Sequence, residues 1–73
     1  MSYKLSDVVH ETANFWVLRN PLPGRFDVFK VMPGCHYSVK VGTFEFPSNP
    51  GYSQSRAIAF CDSRQNELNK VQP

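Results

Sequence analysis

Two short segments that are apolar on both sides place the strongest constraint on how this chain can fold. Residues 15–19 and 26–31 are rich in aromatic and β-branched side chains, which favour strands. Successive strand residues point to opposite faces of a sheet, so each segment supplies apolar groups to both faces. In the first segment Phe15 and Val17 would lie on one face and Trp16 and Leu18 on the other. In the second segment Phe26 and Val28 would lie opposite Phe29 and Val31. A single helix covers only one face. The second therefore needs cover from the N-terminal segment and the proline-rich loop, or from a partner protein.

Proline and glycine residues mark where the predicted strands end. The prolines within residues 20–24 cannot donate to a sheet, and the Pro33-Gly34 pair suits a type II turn. Residues 36–46 then alternate in the manner of a half-buried strand, and its inward side would carry Tyr37, Val39, Val41 and Thr43. The pattern predicts three strands joined as an antiparallel meander.

One long helix is predicted in the C-terminal part of the chain. Residues 47–51 interrupt the third strand, after which Ser53 can cap a helix that runs to about Asn69. This helix would turn one stripe toward the sheet, formed by Ala57, Ile58, Cys61 and Leu68.

The N-terminal segment allows two interpretations. Residues 5–12 can start a short helix, with Ser6 as the N-cap and Asp7 and Glu11 near its first turn, or can remain an ordered arm. The predicted fold class is therefore α+β: a three-stranded antiparallel β-meander with a C-terminal helix packed on one face and a short N-terminal helix or arm. The predicted organisation is an arm at 1–13, a β-β-β-α core at 14–69 and a frayed tail at 70–73.

Composition indicates one small globular domain. The chain has 73 residues, of which 41% are hydrophobic and 14% aromatic, enough to build a compact core without a metal or a disulfide. The net charge is +2, and residues 19–56 carry +3 while residues 1–13 carry −1. No segment approaches the roughly 20 apolar residues of a membrane helix, and the N-terminus has no apolar signal region. We expect a soluble, intracellular monomer that does not associate with membranes.

The residues that could carry chemistry do not form a known motif. His10, Cys35, His36 and Cys61 lack the spacing that places two metal ligands on one turn, so no metal or other cofactor is predicted. Neighbouring strand residues point apart, so a cysteine nucleophile would need Cys61 to meet His10 or His36 through folding. The carboxylates show no paired-acid pattern, and two free thiols are expected rather than a disulfide. We predict no catalytic residues and no enzyme.

Nucleic-acid binding receives weak support. The α-β-β-β-α order is similar to that of double-stranded RNA-binding domains, and residues 51–59 lie where such domains begin their second helix with lysines. Here only Arg56 supplies charge, whereas shape-based RNA recognition needs several phosphate contacts. A sheet reading the DNA major groove through Arg25, Lys30 and Lys40 is no better supported.

Five segments, which together span nearly the whole chain, carry a resemblance to a known group of proteins. They are His10-Glu11-Thr12, Phe15-Trp16-Val17-Leu18-Arg19, Phe26-x-Val28-Phe29, His36-x-Ser38-Val39 and Arg56-Ala57-Ile58-Ala59-x-Cys61-Asp62-x-Arg64. In these segments the chain resembles small RNA-polymerase-binding transcription regulators of lytic Xanthomonas phages.

This resemblance implies regulation of host transcription in the bacterial cytoplasm. The implied partner is bacterial RNA polymerase, contacted near the N-terminus of the β′ subunit and the RNA exit channel. The chain would oppose the primary sigma factor at initiation and suppress termination together with the elongation factor NusA. It would therefore be an inhibitor of initiation and an antiterminator, with nascent RNA close by.

The expected contact residues follow from the unpaired apolar face and the charge asymmetry. They are Lys4, Ser6, Asp7, His10, Trp16 and Arg19. Two alternatives to the polymerase regulator remain open: a small phage inhibitor of another host or defence protein, and a small nucleic-acid-binding module. Only the second predicts affinity that falls steeply with salt in the absence of a protein partner.

Overall fold

The computed structural model describes residues 7–32 and 37–71, which form an antiparallel sheet and a C-terminal helix. The strands are β1 (Val8–Glu11), β2 (Phe15–Arg19), β3 (Arg25–Val31) and β4 (Ser38–Glu45), and the helix is α1 (Pro50–Val71). The α+β class and the C-terminal helix are confirmed. The sheet, however, has four strands rather than the predicted three.

The additional strand is β1, so the prediction of a short N-terminal helix is wrong for residues 8–11. β1 pairs antiparallel with β2, with Val8 opposite Leu18 and Glu11 opposite Trp16. The β-branched pair Val8-Val9 fits an extended strand, and pairing with β2 supplies backbone hydrogen bonds that a helical turn this short would lack. Strand order in the sheet follows sequence order, β1-β2-β3-β4.

The predicted division of β2 and β3 into two apolar faces is confirmed. Phe15, Val17, Phe26 and Val28 are buried together with Ala57 and Cys61 of α1, and they form the core. Val17 lies directly opposite Val28 across β2 and β3, and neither side chain is exposed. Burying each such side chain contributes about 1.5–3 kcal/mol to folding, so this cluster dominates stability.

The inward side predicted for the third strand is wrong in part. The pairing of β3 with β4 shifts between Val28 and Phe29, and this bulge puts Gly42 opposite Val28. Past the bulge the side that faces α1 changes, so Thr43 is exposed and Phe44 packs on Phe60, with ring centres 5.4 Å apart. Tyr37 and Val39 are also exposed, whereas Val41 does pack against the core.

The start of the helix differs from the predicted cap at Ser53. Asn49 caps α1, because its Oδ1 accepts a hydrogen bond from the Tyr52 amide at 3.2 Å. Pro50 occupies the first helical position, where a missing amide hydrogen costs nothing. Ser53 is instead fully buried, and its hydroxyl accepts a 2.9 Å hydrogen bond from the Phe46 amide. It thereby ties the end of the sheet to the first turn of the helix.

Several predictions fall partly outside the described residues. These are the N-terminal arm before residue 7, the Pro33-Gly34 turn, the state of Cys35, the first residue of the predicted third strand and the last two residues of the tail. Lys70 and Val71 of that predicted tail belong to α1, and Cys61 is a free, buried thiol. Among the described residues no helix is both long enough and apolar enough to cross a membrane.

Candidate functional site

The sheet face opposite α1, which we call the second face, carries an aromatic stack. Trp16 of β2 and Phe29 of β3 lie directly opposite each other, with ring centres 4.4 Å apart and planes 13° from parallel. The indole Nε1 donates a 3.0 Å hydrogen bond to the Ser38 hydroxyl of β4. Trp16 is only 9% exposed, whereas Val31 at the end of β3 is 40% exposed. The stack therefore forms a rigid apolar centre with an exposed apolar border.

A buried carboxylate adjoins this stack on the second face. Asp27 is 2% exposed, and its two oxygens accept hydrogen bonds of 2.9 Å from Asn20 Nδ2 and from the Thr43 hydroxyl. Arg25 Nε lies 3.5 Å and Lys40 Nζ 3.9 Å from Oδ1. The carboxylate is thus paired with two cations and two neutral donors, which is the usual condition for burying a charge.

These partners keep Asp27 ionised. Burial by itself raises the pKa of the carboxyl group, but the hydrogen bonds from Asn20 and Thr43 and the charges of Lys40 and Arg25 outweigh burial. The resulting pKa lies below the ordinary value of 3.8. Because every partner donates to the anion, the arrangement holds a charge in place and does not poise the group for proton transfer.

On the other side of the sheet, a polar network joins the turn between β1 and β2 to α1. Gln65 is 7% exposed, and its Oε1 accepts hydrogen bonds from the Asn14 amide at 2.7 Å and from the Thr12 hydroxyl at 2.9 Å. Its Nε2 donates to Asn14 Oδ1 at 2.9 Å and to Asn69 Oδ1 at 3.1 Å. The side chain of Gln65 thereby supplies hydrogen-bond partners to both Thr12 and Asn14 of the turn. Within the described part of the chain, no buried side-chain nitrogen or oxygen lacks a hydrogen-bond partner.

Next to this network, a histidine, a cysteine and an aspartate meet. His10 Nε2 of β1 lies 2.8 Å from Asp62 Oδ1 of α1, and the Sγ of Cys61 lies 3.9 Å from the Thr12 hydroxyl. The three candidate ligand atoms of His10, Cys61 and Asp62 all lie within 4.8 Å of one another. The fold therefore does bring His10 close to Cys61, as a cysteine nucleophile would require.

The electrostatics of Cys61 do not suit a nucleophile. Burial raises the pKa of the thiol, the charge of Asp62 raises it further, and the hydrogen bond with Thr12 opposes them only in part. A reactive cysteine needs the opposite shift, because the thiolate is the attacking species. The group is also fully buried, so a substrate has no access to the sulfur.

The structure places the predicted contact residues on two sides of one hairpin. Asp7 is half-buried immediately before β1, and His10 faces α1 from within that strand. Trp16 lies on the second face, whereas the exposed Arg19 pairs with Phe26, whose side chain belongs to the core on the α1 side.

The other two predicted contacts, Lys4 and Ser6, lie outside the described residues. Asp7, His10, Trp16 and Arg19 are therefore brought together by the β1–β2 hairpin, but not on a single face. Their role in binding stays a prediction.

The basic residues of the predicted basic sheet do not form one stripe. Arg25 and Lys40 are held by Asp27 on the second face, while Lys30 lines a shallow pocket of about 180 Å³ on the α1 side with Arg64 and Glu67. Because the charge is divided between the faces, a nucleic-acid backbone could not follow it across the sheet. The similarity to double-stranded RNA-binding domains also weakens, because β1 stands where such domains begin with a helix.

Sequence reasoning missed the roles of Asp27, Gln65 and Asp62. Asp27 is the one acidic residue of β3 and lies between the apolar residues Phe26 and Val28, and this exception to the pattern was the available signal. The partners of Gln65 in the β1–β2 turn and the partner of Asp62 in β1 are about 50 residues away in the sequence, and no local pattern indicates such contacts. Comparisons with protein-family models, curated proteins and solved structures found no match for this chain.

Proposed function

We propose that this chain is a phage-encoded regulator that binds bacterial RNA polymerase in the host cytoplasm. It would inhibit initiation and act as an antiterminator at the RNA exit channel, near the N-terminal region of β′ and together with NusA. The proposal rests on the resemblance of five segments, His10 through Arg64, to phage regulators of this type. It assigns the chain a binding role and no reaction.

The observation that best supports a binding role is the second face. Its centre is the Trp16–Phe29 stack, and its border includes the exposed Val31 and the cations Arg25 and Lys40. Aromatic anchors surrounded by polar and charged groups are typical of surfaces that bind proteins. Such a surface can bind without a conformational change. A chain of this size would then act by steric obstruction at the site where it binds.

The position of the predicted contacts refines the proposal. Asp7, His10, Trp16 and Arg19 lie on or beside the β1–β2 hairpin, at one edge of the sheet. A partner that contacts this edge from both sides would reach Asp7, His10 and Arg19, whereas Trp16, which is only 9% exposed, offers it little surface. This arrangement predicts that the hairpin, rather than the exposed side of α1, carries the binding energy.

The first test is affinity capture of the tagged chain from nuclease-treated bacterial lysate, with mass spectrometry of the retained proteins. Polymerase subunits in stoichiometric amounts would support the proposal. A different single protein would overturn it in favour of an inhibitor of another host or defence protein. Recovery of no protein at all would favour the nucleic-acid-binding module instead.

A second test uses purified polymerase and matched variants. Arg19→Ala removes an exposed cation at the hairpin, and Arg56→Ala removes an exposed cation on α1, outside the predicted contact. We expect weaker polymerase binding and weaker inhibition of sigma-dependent initiation only for Arg19→Ala. Equal affinities of the two variants and the original chain for polymerase would show that Arg19 is not part of the contact. The antitermination part is tested separately, by measuring transcription through a terminator in the presence of NusA.

A further inference from the structure

Three side chains of different chemistry converge where the edge strand β1 meets α1. His10 comes from β1, and Cys61 and Asp62 are neighbours on α1, 51 and 52 residues further along the chain. Their candidate ligand atoms, an imidazole nitrogen, a sulfur and a carboxylate oxygen, all lie within 4.8 Å of one another. The closest pair is His10 Nε2 and Asp62 Oδ1 at 2.8 Å.

This donor set corresponds to a definite class of ions. Imidazole nitrogen and thiolate sulfur are poor ligands for magnesium and calcium, which prefer oxygen, but they suit divalent first-row transition metals. Zinc accepts nitrogen, sulfur and oxygen ligands in one tetrahedral site at about 2.0–2.3 Å, which separates the ligand atoms by roughly 3.2–3.6 Å. The ligand atoms of His10, Cys61 and Asp62 are separated by 2.8 Å to at most 4.8 Å, a range that includes this spacing.

We propose that His10, Cys61 and Asp62 form a binding site for a divalent transition-metal ion, for which zinc is the best match. The ion would displace the thiol proton to solvent and would then sit between a neutral imidazole and two anions. No backbone rearrangement is needed, because the side chains of His10 and Asp62 are 30% and 51% exposed and can adjust by rotation.

The surroundings define the geometry and consequence of the site. Cys61 lies on the buried side and Thr12 contacts its sulfur, while Asp62 and His10 are partly exposed. An ion would therefore bind these two side chains first and reach the sulfur as they rotate. Three protein ligands leave the fourth position for water. The bound ion would hold the four-residue edge strand against the helix, so we expect metal binding to raise the stability of this edge. Without metal, His10 and Asp62 share a 2.8 Å contact at the surface above the buried Cys61, and an exposed contact of that kind contributes little to stability.

The test is a titration of the metal-free, reduced protein with Co²⁺, followed by competition with Zn²⁺. A thiolate ligand gives a charge-transfer band in the near ultraviolet, and a tetrahedral site gives visible bands. We expect both to saturate at one Co²⁺ per chain and to disappear on addition of one equivalent of Zn²⁺. Absence of these bands from the folded protein would overturn the proposal.

Variants identify the ligands. Cys61→Ser should abolish the charge-transfer band, and Cys35→Ser, which removes the other thiol of the chain, should leave it unchanged. Because Cys61 is fully buried and its variant can fail to fold, His10→Ala and Asp62→Asn provide a second measurement at partly exposed positions. Each should weaken Co²⁺ binding at least tenfold, whereas Glu67→Gln, an exposed acid elsewhere on α1, should not.

Loss of the band in Cys35→Ser, or its full retention in the His10→Ala/Asp62→Asn double variant, would place the metal elsewhere and refute the site. The experiment uses the isolated chain, so its outcome does not depend on whether the polymerase proposal holds.

Discussion

The hydroxyl of Thr43 donates a 2.9 Å hydrogen bond to Asp27, and the two residues also stand directly opposite each other across β3 and β4. The buried carboxylate of β3 is therefore satisfied in part by its own cross-strand neighbour. We expect Asp27→Asn to destabilise the fold by about 1–3 kcal/mol, because the amide nitrogen would face donors that now bind an anion. Urea unfolding would measure this change. Glu45→Gln, an exposed acid on β4, is the control and should stay within about 0.5 kcal/mol.

The low pKa of Asp27 predicts a specific dependence of stability on pH. Since the folded pKa lies below 3.8, the ionised group stabilises the fold above that pH. The contribution is lost as the pH falls through the lower, folded value. The urea midpoint of the original chain should therefore drop more steeply below about pH 4 than that of Asp27→Asn. Parallel declines of the two proteins would show that other carboxylates control acid unfolding.

Replacing Gly24 and Gly51 with alanine should change the stability of the fold in opposite directions. Gly24 has a φ of 69°, and an added Cβ would lie 2.7 Å from the Phe46 carbonyl oxygen, so Gly24→Ala should cost at least about 2 kcal/mol. Gly51 lies in the first turn of α1, where the nearest atom to an added Cβ is 3.8 Å away. There alanine should be neutral or should stabilise by up to about 1 kcal/mol. Thermal unfolding of the two variants side by side would check this contrast.

Removing the amide of Gln65 should loosen the turn between β1 and β2. Gln65→Leu keeps an apolar stem but leaves the half-buried Asn14 amide without its side-chain acceptor and the Thr12 hydroxyl with only the longer bond to the Phe15 carbonyl, a loss of about 1–3 kcal/mol. The Asn14 amide should then exchange with deuterium about tenfold faster or more, which hydrogen exchange can resolve. Asn66→Leu, at an exposed position of α1, serves as the control. Equal exchange rates of the Asn14 amide in the two variants would contradict the role assigned to Gln65.

The thiol of Cys61 should react only when the fold opens. It is fully buried and burial raises its pKa, so little thiolate is present and none is accessible. In a Cys35→Ser background with chelator present, a chromogenic disulfide reagent should label Cys61 at the rate of opening in buffer and rapidly in urea. Fast labelling of the folded protein would mean that α1 separates from the sheet far more often than its packing suggests.

The central part of the fold could be predicted because its signal is local. β2 spans the predicted residues 15–19, and the alternation of Phe15, Trp16 and Val17 correctly divides the sheet into two faces. β1 could not be predicted in the same way. With four residues it has too short a pattern, and acidic residues around it resemble a helix start, so its structure is decided by pairing with β2.

The remaining errors have physical causes beyond local pattern. The bulge next to Val28 changes which side of β4 faces the helix, and alternation cannot reveal a one-residue shift. The site formed by His10, Cys61 and Asp62 depends on how α1 crosses the sheet. The sequence supplied the residue types, but only the tertiary fold brings them within reach.

The sequential strand order also governs how the chain assembles. Each strand pairs with the next one to be synthesised, so the hairpins close short loops at small entropic cost and should form quickly. The helix that covers Val17 and Val28 is made after all four strands, and at about 5–20 residues per second the ribosome needs about a second or more to synthesise it. During that interval the nascent sheet exposes its future core. A chain interrupted before Pro50 would keep that surface exposed and would be a substrate for chaperones or for aggregation.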